Sequence, residues 1–243
     1  YGLALIEDCA QAHGATSNGQ PVGAFGDIAA FSFCQDKIMT TGGEGGMITM
    51  NDECLWRDAW AFKDHGKSYA TVYEVEHPPG FRWLHETFGT NWRMTEMQAA
   101  IGRRQLQKLP AWHQRRRENA GLLTAAFREI GALRVPEPPR HVEHAWYKYY
   151  AFVRPELLKD GWSRDRIMSA VVAEGVPCFS GSCSEVYLEK AFADNDLRPA
   201  GRLPAARELG ETSLMFLVHP TLGEQDMKRT SEVVEAVFEE ASA

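Results

Sequence analysis

Residues 31–48, FSFCQDKIMTTGGEGGMI, place one lysine between two unlike pieces of chain. The apolar run before Lys37 is typical of a strand in the core of a sheet. Four glycines follow within five residues, at 42, 43, 45 and 46. Glycine lets the backbone approach a bound group closely, and a fixed, partly desolvated amine can condense with a carbonyl compound. The stretch therefore predicts a lysine held at the edge of a sheet beside a flat, anionic ligand.

Three short apolar runs predict the strands of a first, larger domain. They are LALIED at 3–8, DIAAFSF at 27–33 and GGMITM at 45–50. Each is expected to be a buried parallel strand, because it is nearly continuous in apolar residues. A helix is predicted over residues 95–109, where Thr95 and Gln98 form a capping box. Pro110 is expected to start a second, long helix that ends at Gly131.

From residue 132 the pattern predicts a small second α/β domain. Three strands are expected, AWYKYYAFV at 145–153, VPCFS at 176–180 and TSLMFLVHP at 212–220. Ser163 is predicted to cap a helix, and the last helix has one apolar face, made by Met227, Val234, Val237 and Ala241. We therefore predict two domains, residues 1–131 with the long connecting helix and residues 132–243.

Composition excludes several classes of protein. The chain has 26 Lys and Arg against 33 Asp and Glu, a net charge of −7, which argues against nucleic acid or an anionic membrane as the main partner. No apolar run approaches the length of a membrane span. The five cysteines are scattered, with no CxxC, which argues against a disulfide framework or a zinc site. We expect a cytoplasmic protein without a metal.

Pyridoxal phosphate (PLP) is a flat, anionic cofactor whose requirements these residues meet. It condenses with an amine, which Lys37 supplies, and it needs a carboxylate against its pyridine nitrogen so that the ring can accept electrons. Asp8 ends the first predicted strand, and α/β sheets bind ligands at the carboxyl ends of their strands. The hydroxyl of Ser32 is suited to donate to the phosphate.

Each of these residues also has a plain structural interpretation. A lysine after a strand is most often a surface lysine, and an aspartate that ends a strand is most often a cap or a turn former. Ser32 is equally typical of a small core residue bonded to backbone. The glycines match neither common nucleotide-binding pattern and are often only a turn. The order of the features along the chain, more than any one of them, favours the cofactor site.

Three segments resemble successive signature segments of the DegT/DnrJ/StrS family of PLP-dependent sugar aminotransferases. They are IEDCAQAHGA at 6–15, GAFGDIAAFSFCQDKIMTTGGEGGMITMND at 23–52 and GTNWRMTEMQAAIGRRQLQKL at 89–109. The resemblance extends through almost the whole chain, including HAWYKYYAFV at 144–153. It implies the fold class of PLP-dependent transferases of fold type I. This chain would then hold part of a large, mainly parallel-sheet α/β domain and a small C-terminal α/β domain.

The resemblance also implies a role for each site residue. Lys37 would carry PLP covalently and move the proton, and Asp8 would bind the pyridine nitrogen. Gln11 would lie against the ring and its 3-hydroxyl, while Ser32 would bind the phosphate. Asn91 resembles the residue that reaches the phosphate of the neighbouring subunit's cofactor, which implies a homodimer with shared active sites. Some relatives that catalyse dehydration have histidine in place of the lysine, so Lys37 implies transamination from glutamate to a keto-sugar.

The chain departs from the family pattern in two ways. Relatives carry a long N-terminal portion with a phosphate loop and an aromatic residue that stacks on the cofactor, and neither precedes Tyr1 here. We therefore expect an N-terminally truncated sequence that is poorly stable and inactive by itself. The loop TGGEGG, residues 41–46, is also one glycine longer than the TGEGG of many relatives.

The sequence leaves open which keto-sugar is the substrate and whether the protein is an enzyme. FSFCQDK at 31–37 and PCFSGSCSEVY at 177–187 resemble the branch that makes 8-amino-3,8-dideoxy-octulosonate, which implies an 8-keto-octulosonate acceptor and lipopolysaccharide or other surface-glycan biosynthesis. A nucleotide-linked keto-hexose is the second candidate, and no residue discriminates between the two. The alternative of a different class is a truncated non-catalytic or sugar-sensing relative of the same fold.

Overall fold

The structure is a computed structural model that describes residues 1–80, 82–195 and 197–243. Its strands are β1 (Ile6–Asp8), β2 (Thr16–Ser17), β3 (Gln20–Pro21), β4 (Ile28–Ser32), β5 (Gly46–Thr49), β6 (Leu133–Arg134), β7 (Val142–Glu143), β8 (Tyr149–Val153), β9 (Cys178–Phe179) and β10 (Ser213–Phe216). Its helices are α1 (Glu53–Lys63), α2 (Tyr69–Tyr73), α3 (Glu96–Phe127), α4 (Arg164–Ala173), α5 (Lys190–Ala193), α6 (Pro204–Thr212) and α7 (Glu224–Ala241).

Backbone contacts divide the chain into two compact units. The first comprises residues 1–110 and 140–145, and the second comprises residues 111–139 and 146–243. Helix α3 therefore contributes residues to both units. The domain boundary that the sequence predicts after residue 131 stays a prediction.

The main sheet of the first unit has the order β1–β4–β5 and is mixed. Strand β1 pairs with β4 in parallel, whereas β5 runs antiparallel to β4. The prediction that the run at 45–50 forms a buried parallel strand is therefore wrong. A parallel return needs a crossover connection, usually a helix, but here Phe33 N donates to Gly45 O at 2.7 Å and the chain turns straight back. A second small sheet has the order β3–β2–β7.

Strand β1 is an edge strand of this sheet within the described residues. Ile6 is 71% exposed and Asp8 is also exposed, so the predicted burial of this strand is not found. A strand is buried only when both of its edges and both of its faces are covered, and in the described chain β1 pairs with β4 alone. The apolar pattern indicates the strand but does not supply those neighbours.

Helix α3 is continuous from Glu96 to Phe127 and contains Pro110, so the predicted break at this proline is wrong. The predicted capping box is confirmed, with Thr95 N donating to Gln98 Oε1 at 3.0 Å and Gln98 N donating to Thr95 Oγ1 at 3.3 Å. A proline removes one hydrogen bond from the helix, which does not end a helix that is anchored on both sides.

Neither α3 nor any other helix of the described chain is long and apolar enough to cross a bilayer.

The second unit contains the larger hydrophobic core. Its antiparallel sheet has the order β6–β8–β10–β9. The largest fully buried side chains come from α3, the sheet, α4 and α7, and include Leu123, Phe127, Tyr149, Ile167, Phe216 and Phe238. The predicted apolar face of α7 is confirmed, because Met227, Val234, Val237 and Ala241 are all buried. Ser163 caps α4 as predicted by accepting from Arg166 N at 3.3 Å.

Candidate active site

The parallel pairing of β1 with β4 brings the first two site residues to one edge of the sheet. Asp8 is in register with Ala30, and Cys9 N donates to Ala30 O at 2.8 Å. Strand β4 continues two residues further, to Ser32, which is in register with the first residue of β5, Gly46. The carboxyl ends of β1 and β4 and the start of β5 therefore lie at the same edge, and the loop of residues 33–45 begins and ends there.

Asp8 and Gln11 lie in the turn that follows β1. Asp8 Oδ1 accepts a hydrogen bond from Ala10 N at 3.1 Å, and Ala12 N donates to Cys9 O at 3.0 Å. The carboxylate therefore does act as a turn former, as the structural interpretation predicts. This contact uses one carboxylate oxygen, and both Asp8 and Gln11 expose their side chains at the edge.

Lys37 lies in the loop that starts directly after Ser32. Its backbone N donates to Cys34 O at 3.1 Å, and Cys34 N donates to Ser32 Oγ at 3.3 Å, which leaves the Ser32 hydroxyl hydrogen available to another acceptor. The Lys37 side chain is only 17% exposed, and its Nζ lies 3.7 Å from Asp36 Oδ1. The Lys37 side chain is therefore largely enclosed, and the carboxylate of the neighbouring Asp36 provides a counter-charge for its amine.

The glycines after Lys37 have two different structural roles. Gly42 and Gly43 adopt φ angles of +84° and +149°, which side chains of L residues rarely tolerate. A Cβ at Gly45 would lie 2.3 Å from Thr41 Oγ1, so a side chain at this position would force Thr41 to move. A Cβ at Gly43 would meet nothing within 4 Å, so there is open space beside the loop at this point.

Two glutamines on α3 hold the lysine loop, and sequence reasoning assigned neither of them to the site. Gln98 Nε2 donates to Glu44 O at 2.7 Å, and Gln105 Oε1 accepts from Thr40 N at 2.8 Å. They are seven residues apart, two helical turns, and so lie on the same face of α3. Only the capping pattern drew attention to Gln98, and no sequence signal indicates that either residue contacts the loop.

Glu7 is a third residue that sequence reasoning missed. Its Oε2 accepts from Gly23 N at 2.8 Å, and its Oε1 accepts from Phe25 N and from Gly26 N, both at 2.7 Å. Hydrogen bonds from Gly23, Gly26 and Phe25 hold the pKa of the Glu7 carboxyl below its ordinary value, against the opposing effect of burial. The carboxylate thus fixes the chain between β3 and β4 against β1, next to Asp8.

Asn91 belongs to a second cluster in the first unit. Its backbone forms an isolated antiparallel bridge with Asp64, and its side-chain Oδ1 accepts from Arg93 Nε at 3.0 Å. The contacts of Asn91 are thus with Asp64 and Arg93, whereas the sheet edge groups Asp8, Ser32 and the Lys37 loop.

Comparison with known proteins identifies the family. The model of the DegT/DnrJ/EryC1/StrS aminotransferase family matches residues 1–237. The chain belongs to this family. The solved structure of an aminotransferase from Psychrobacter cryohalolentis is 59% identical, with a TM-score of 0.94 over 98% of this chain and 62% of that one. This similarity confirms the predicted fold class, a PLP-dependent transferase of fold type I.

Two curated members of the DegT/DnrJ/EryC1/StrS family are sugar-nucleotide aminotransferases by name. UDP-N-acetyl-3-dehydro-alpha-D-glucosamine 3-aminotransferase of Acidithiobacillus ferrooxidans is 32% identical over 96% of this chain. The dTDP-3-amino-3,4,6-trideoxy-alpha-D-glucose transaminase of Streptomyces venezuelae is 30% identical over 98% of this chain. This chain spans 57% of the length of each of these two relatives.

We expect Glu7→Gln to destabilise the protein at pH 7, because an amide replaces the charged acceptor of three backbone N–H groups. The folded-state pKa of Glu7 is lowered from 4.5, so its contribution is full above that pH and is lost as the pH falls through the folded-state pKa. Thermal unfolding should show a melting temperature a few degrees lower at pH 7, with the difference shrinking below about pH 4.5. Glu76→Gln, at an exposed loop position of the same unit, is the control, and an equal effect of both variants would contradict the assignment.

Proposed function

We propose that the chain is part of a PLP-dependent aminotransferase that moves an amino group from glutamate to a keto-sugar. The observation that carries the proposal is the single sheet edge at which Asp8, Ser32 and the Lys37 loop meet. Membership of an aminotransferase family supports the same reaction class. A lysine in this loop, rather than histidine, supports transamination over dehydration.

The residues at this edge fit PLP by their chemistry. The enclosed amine of Lys37 is suited to carry the aldehyde carbon, and the Ser32 hydroxyl retains a hydrogen for a phosphate oxygen. Asp8 presents a carboxylate that would keep the pyridine nitrogen protonated, while Gln11 in the same turn would face the ring and its 3-hydroxyl. The open space beside Gly43 leaves room for a bound group.

Bound PLP supplies an electron sink that stabilises a carbanion at the amino-bearing carbon. Within that chemistry, the tasks of this chain are to hold charges and to move one proton. Lys37 would take the proton from the donor's α-carbon and return a proton to the cofactor carbon, and in the second half-reaction it would act in reverse. Asp36, 3.7 Å from Lys37 Nζ, would stabilise the ammonium form between these transfers.

The natural protein should carry its PLP label on Lys37. Borohydride reduction followed by peptide mapping should place a pyridoxyl group on this lysine and not on Lys63 or Lys67, which belong to the same unit. Lys37→Arg should abolish both the label and the glutamate-dependent change in the cofactor spectrum. A label on Lys63 or Lys67 would contradict the assignment, and a wild-type protein that binds sugar but neither PLP nor glutamate would support the sugar-sensing alternative.

As the acceptor of the amino group, we propose a nucleotide-linked keto-hexose in preference to 8-keto-octulosonate. The two curated relatives carry UDP-linked and dTDP-linked hexose names, which supports this order, and the octulosonate branch stays a prediction. The product would enter lipopolysaccharide or another surface glycan. Five cysteines without a disulfide in the described chain support a reducing, cytoplasmic location.

The amine form of the enzyme, prepared with glutamate, should discriminate between the two acceptors. Each class of keto-sugar is offered in a single turnover, and recovery of the PLP spectrum is followed. We expect recovery with a UDP-linked or dTDP-linked keto-hexose. Recovery with 8-keto-octulosonate alone would overturn the choice of acceptor and leave the aminotransferase reaction standing.

We further propose a homodimer in which Asn91 completes the site of the partner. The exposed aromatic side chains of its segment support an interface at this surface, since Phe88 is 99% exposed and Trp92 is 70% exposed. The test is complementation between two inactive variants. Because sites built from two chains can be repaired in trans, a mixture of Lys37→Ala and Asn91→Ala protomers should be more active than either parent.

The matched control for this complementation uses two residues of the same sheet edge. Lys37→Ala mixed with Asp8→Asn should restore nothing, because both residues of a site come from one chain and every heterodimer site lacks one of them. Equal recovery in both mixtures would contradict the shared site, and so would the absence of recovery with Asn91→Ala.

A further inference from the structure

The segment that carries Asn91 is part of a rigid double loop, formed by residues 61–67 and 84–92. Backbone hydrogen bonds join the two segments along their length. In one of them, Thr90 N donates to the carbonyl oxygen of residue 62 at 2.6 Å. A Cβ at Gly66 would lie 1.7 Å from the carbonyl oxygen of Thr87, so the two backbone segments pack directly against each other at this point. The double loop is therefore a fixed platform for its side chains.

Asp64 is the buried charge at the centre of the double loop, with 8% of its surface exposed. Its Oδ1 lies 3.3 Å from Lys67 Nζ and 3.5 Å from Arg93 Nε. Burial opposes ionisation, but the hydrogen bond from Lys67 and the charges of Lys67, Arg93 and Lys63 outweigh it and hold the pKa of Asp64 below its ordinary value. Asp64 is therefore a carboxylate that anchors two cations.

Arg93 in turn determines how the Asn91 amide is oriented. Arg93 Nε donates to Asn91 Oδ1 at 3.0 Å. Because a guanidinium group only donates, the amide oxygen must face it, and the two N–H groups of Asn91 Nδ2 are left for another acceptor. Lys63, Lys67 and Arg93 outnumber the two carboxylates of the double loop, Asp64 and Glu86, so the cluster as a whole favours an anion.

His65 adds a second, independent indication of a built site. It adopts a φ of +62°, in the left-handed region, and its Nε2 lies 3.5 Å from Arg93 Nη2. A non-glycine residue in this region is found where the surrounding structure enforces it, often at functional sites. The strain at His65 places one more polar side chain beside the donors of this cluster.

We propose that Asp64 is the positioning residue of a phosphate-binding group, in which it holds Arg93 and thereby aims the Nδ2 donors of Asn91 at a phosphate oxygen. This inference rests on the proposed function, which supplies two phosphates, that of PLP and the diphosphate of a nucleotide-linked acceptor. Asp64 itself would not touch the ligand. Its loss would release Arg93, and the amide of Asn91 would then turn freely.

The test compares a ligand with and without its phosphate, using the full-length natural protein. Dissociation constants of PLP and of pyridoxal are measured by spectroscopic titration for the wild type, Asp64→Asn and Arg93→Gln. Loss of a residue that orients a metal ligand typically weakens metal binding by about tenfold or more. We expect a comparable effect here, so PLP should bind roughly tenfold more weakly to both variants. Pyridoxal should bind to all three proteins equally. The side chain of Arg93 is 46% exposed, so its variant keeps the test valid if Asp64→Asn fails to fold.

Two further variants and two further ligands complete the experiment. Arg93→Lys retains the charge but not the Nε donor, and should remain as weak as Arg93→Gln if orientation matters more than charge. Asp58→Asn, at an exposed position of α1, should change neither affinity. Binding of UDP and dTDP is measured in parallel, and a loss confined to these ligands would assign the phosphate to the acceptor.

Two results would overturn the inference. Unchanged affinity for PLP and for both nucleotides in Asp64→Asn and Arg93→Gln would show that these residues do not position Asn91 for phosphate binding. An equal loss of PLP and pyridoxal affinity would reduce Asp64 to a purely structural role. In either case a Lys37 label in the wild type would leave the aminotransferase standing, whereas a wild type that binds no PLP would overturn the proposed function and this inference together.

Discussion

The parallel ladder between β1 and β4 is the constraint on which the candidate site depends. Parallel strands end on the same side of a sheet, so this one pairing places Asp8 and Ser32 at a common edge, although they are 24 residues apart in the sequence. The antiparallel return of β5 brings Gly46 back to that edge. The loop with Lys37 is thereby closed at both ends by the sheet itself.

A loop of 13 residues, 33–45, needs further restraints to hold one amine in place. Gln98 and Gln105 supply two of them from one face of α3, and both bind backbone groups of the loop. The loop also closes on itself through Phe33 and Gly45. Such contacts fix the course of the backbone on both sides of Lys37, which is the kind of support that preorganised sites require.

The elements that could be predicted are those with local causes. The capping box of Thr95 and the cap at Ser163 are formed by residues three apart, so their sequence pattern contains all the information that they need. The elements that were predicted wrongly depend on distant contacts. Pro110 lies inside a helix that is anchored on both sides of it, and the direction of β5 follows from how its loop closes.

The amino-acid sequence alone indicated the family, which the comparison with known proteins confirms, and the residue types of the candidate site: a lysine among glycines and an aspartate at a strand end. The contacts that fix the sheet edge and the lysine loop became visible only in the folded chain. Glu7 and Gln105 carry no pattern that distinguishes them from other polar residues, because their partners lie between 16 and 65 residues away. A hydrogen bond between distant segments exists only once the chain has folded, so its physical cause cannot be read from either segment alone.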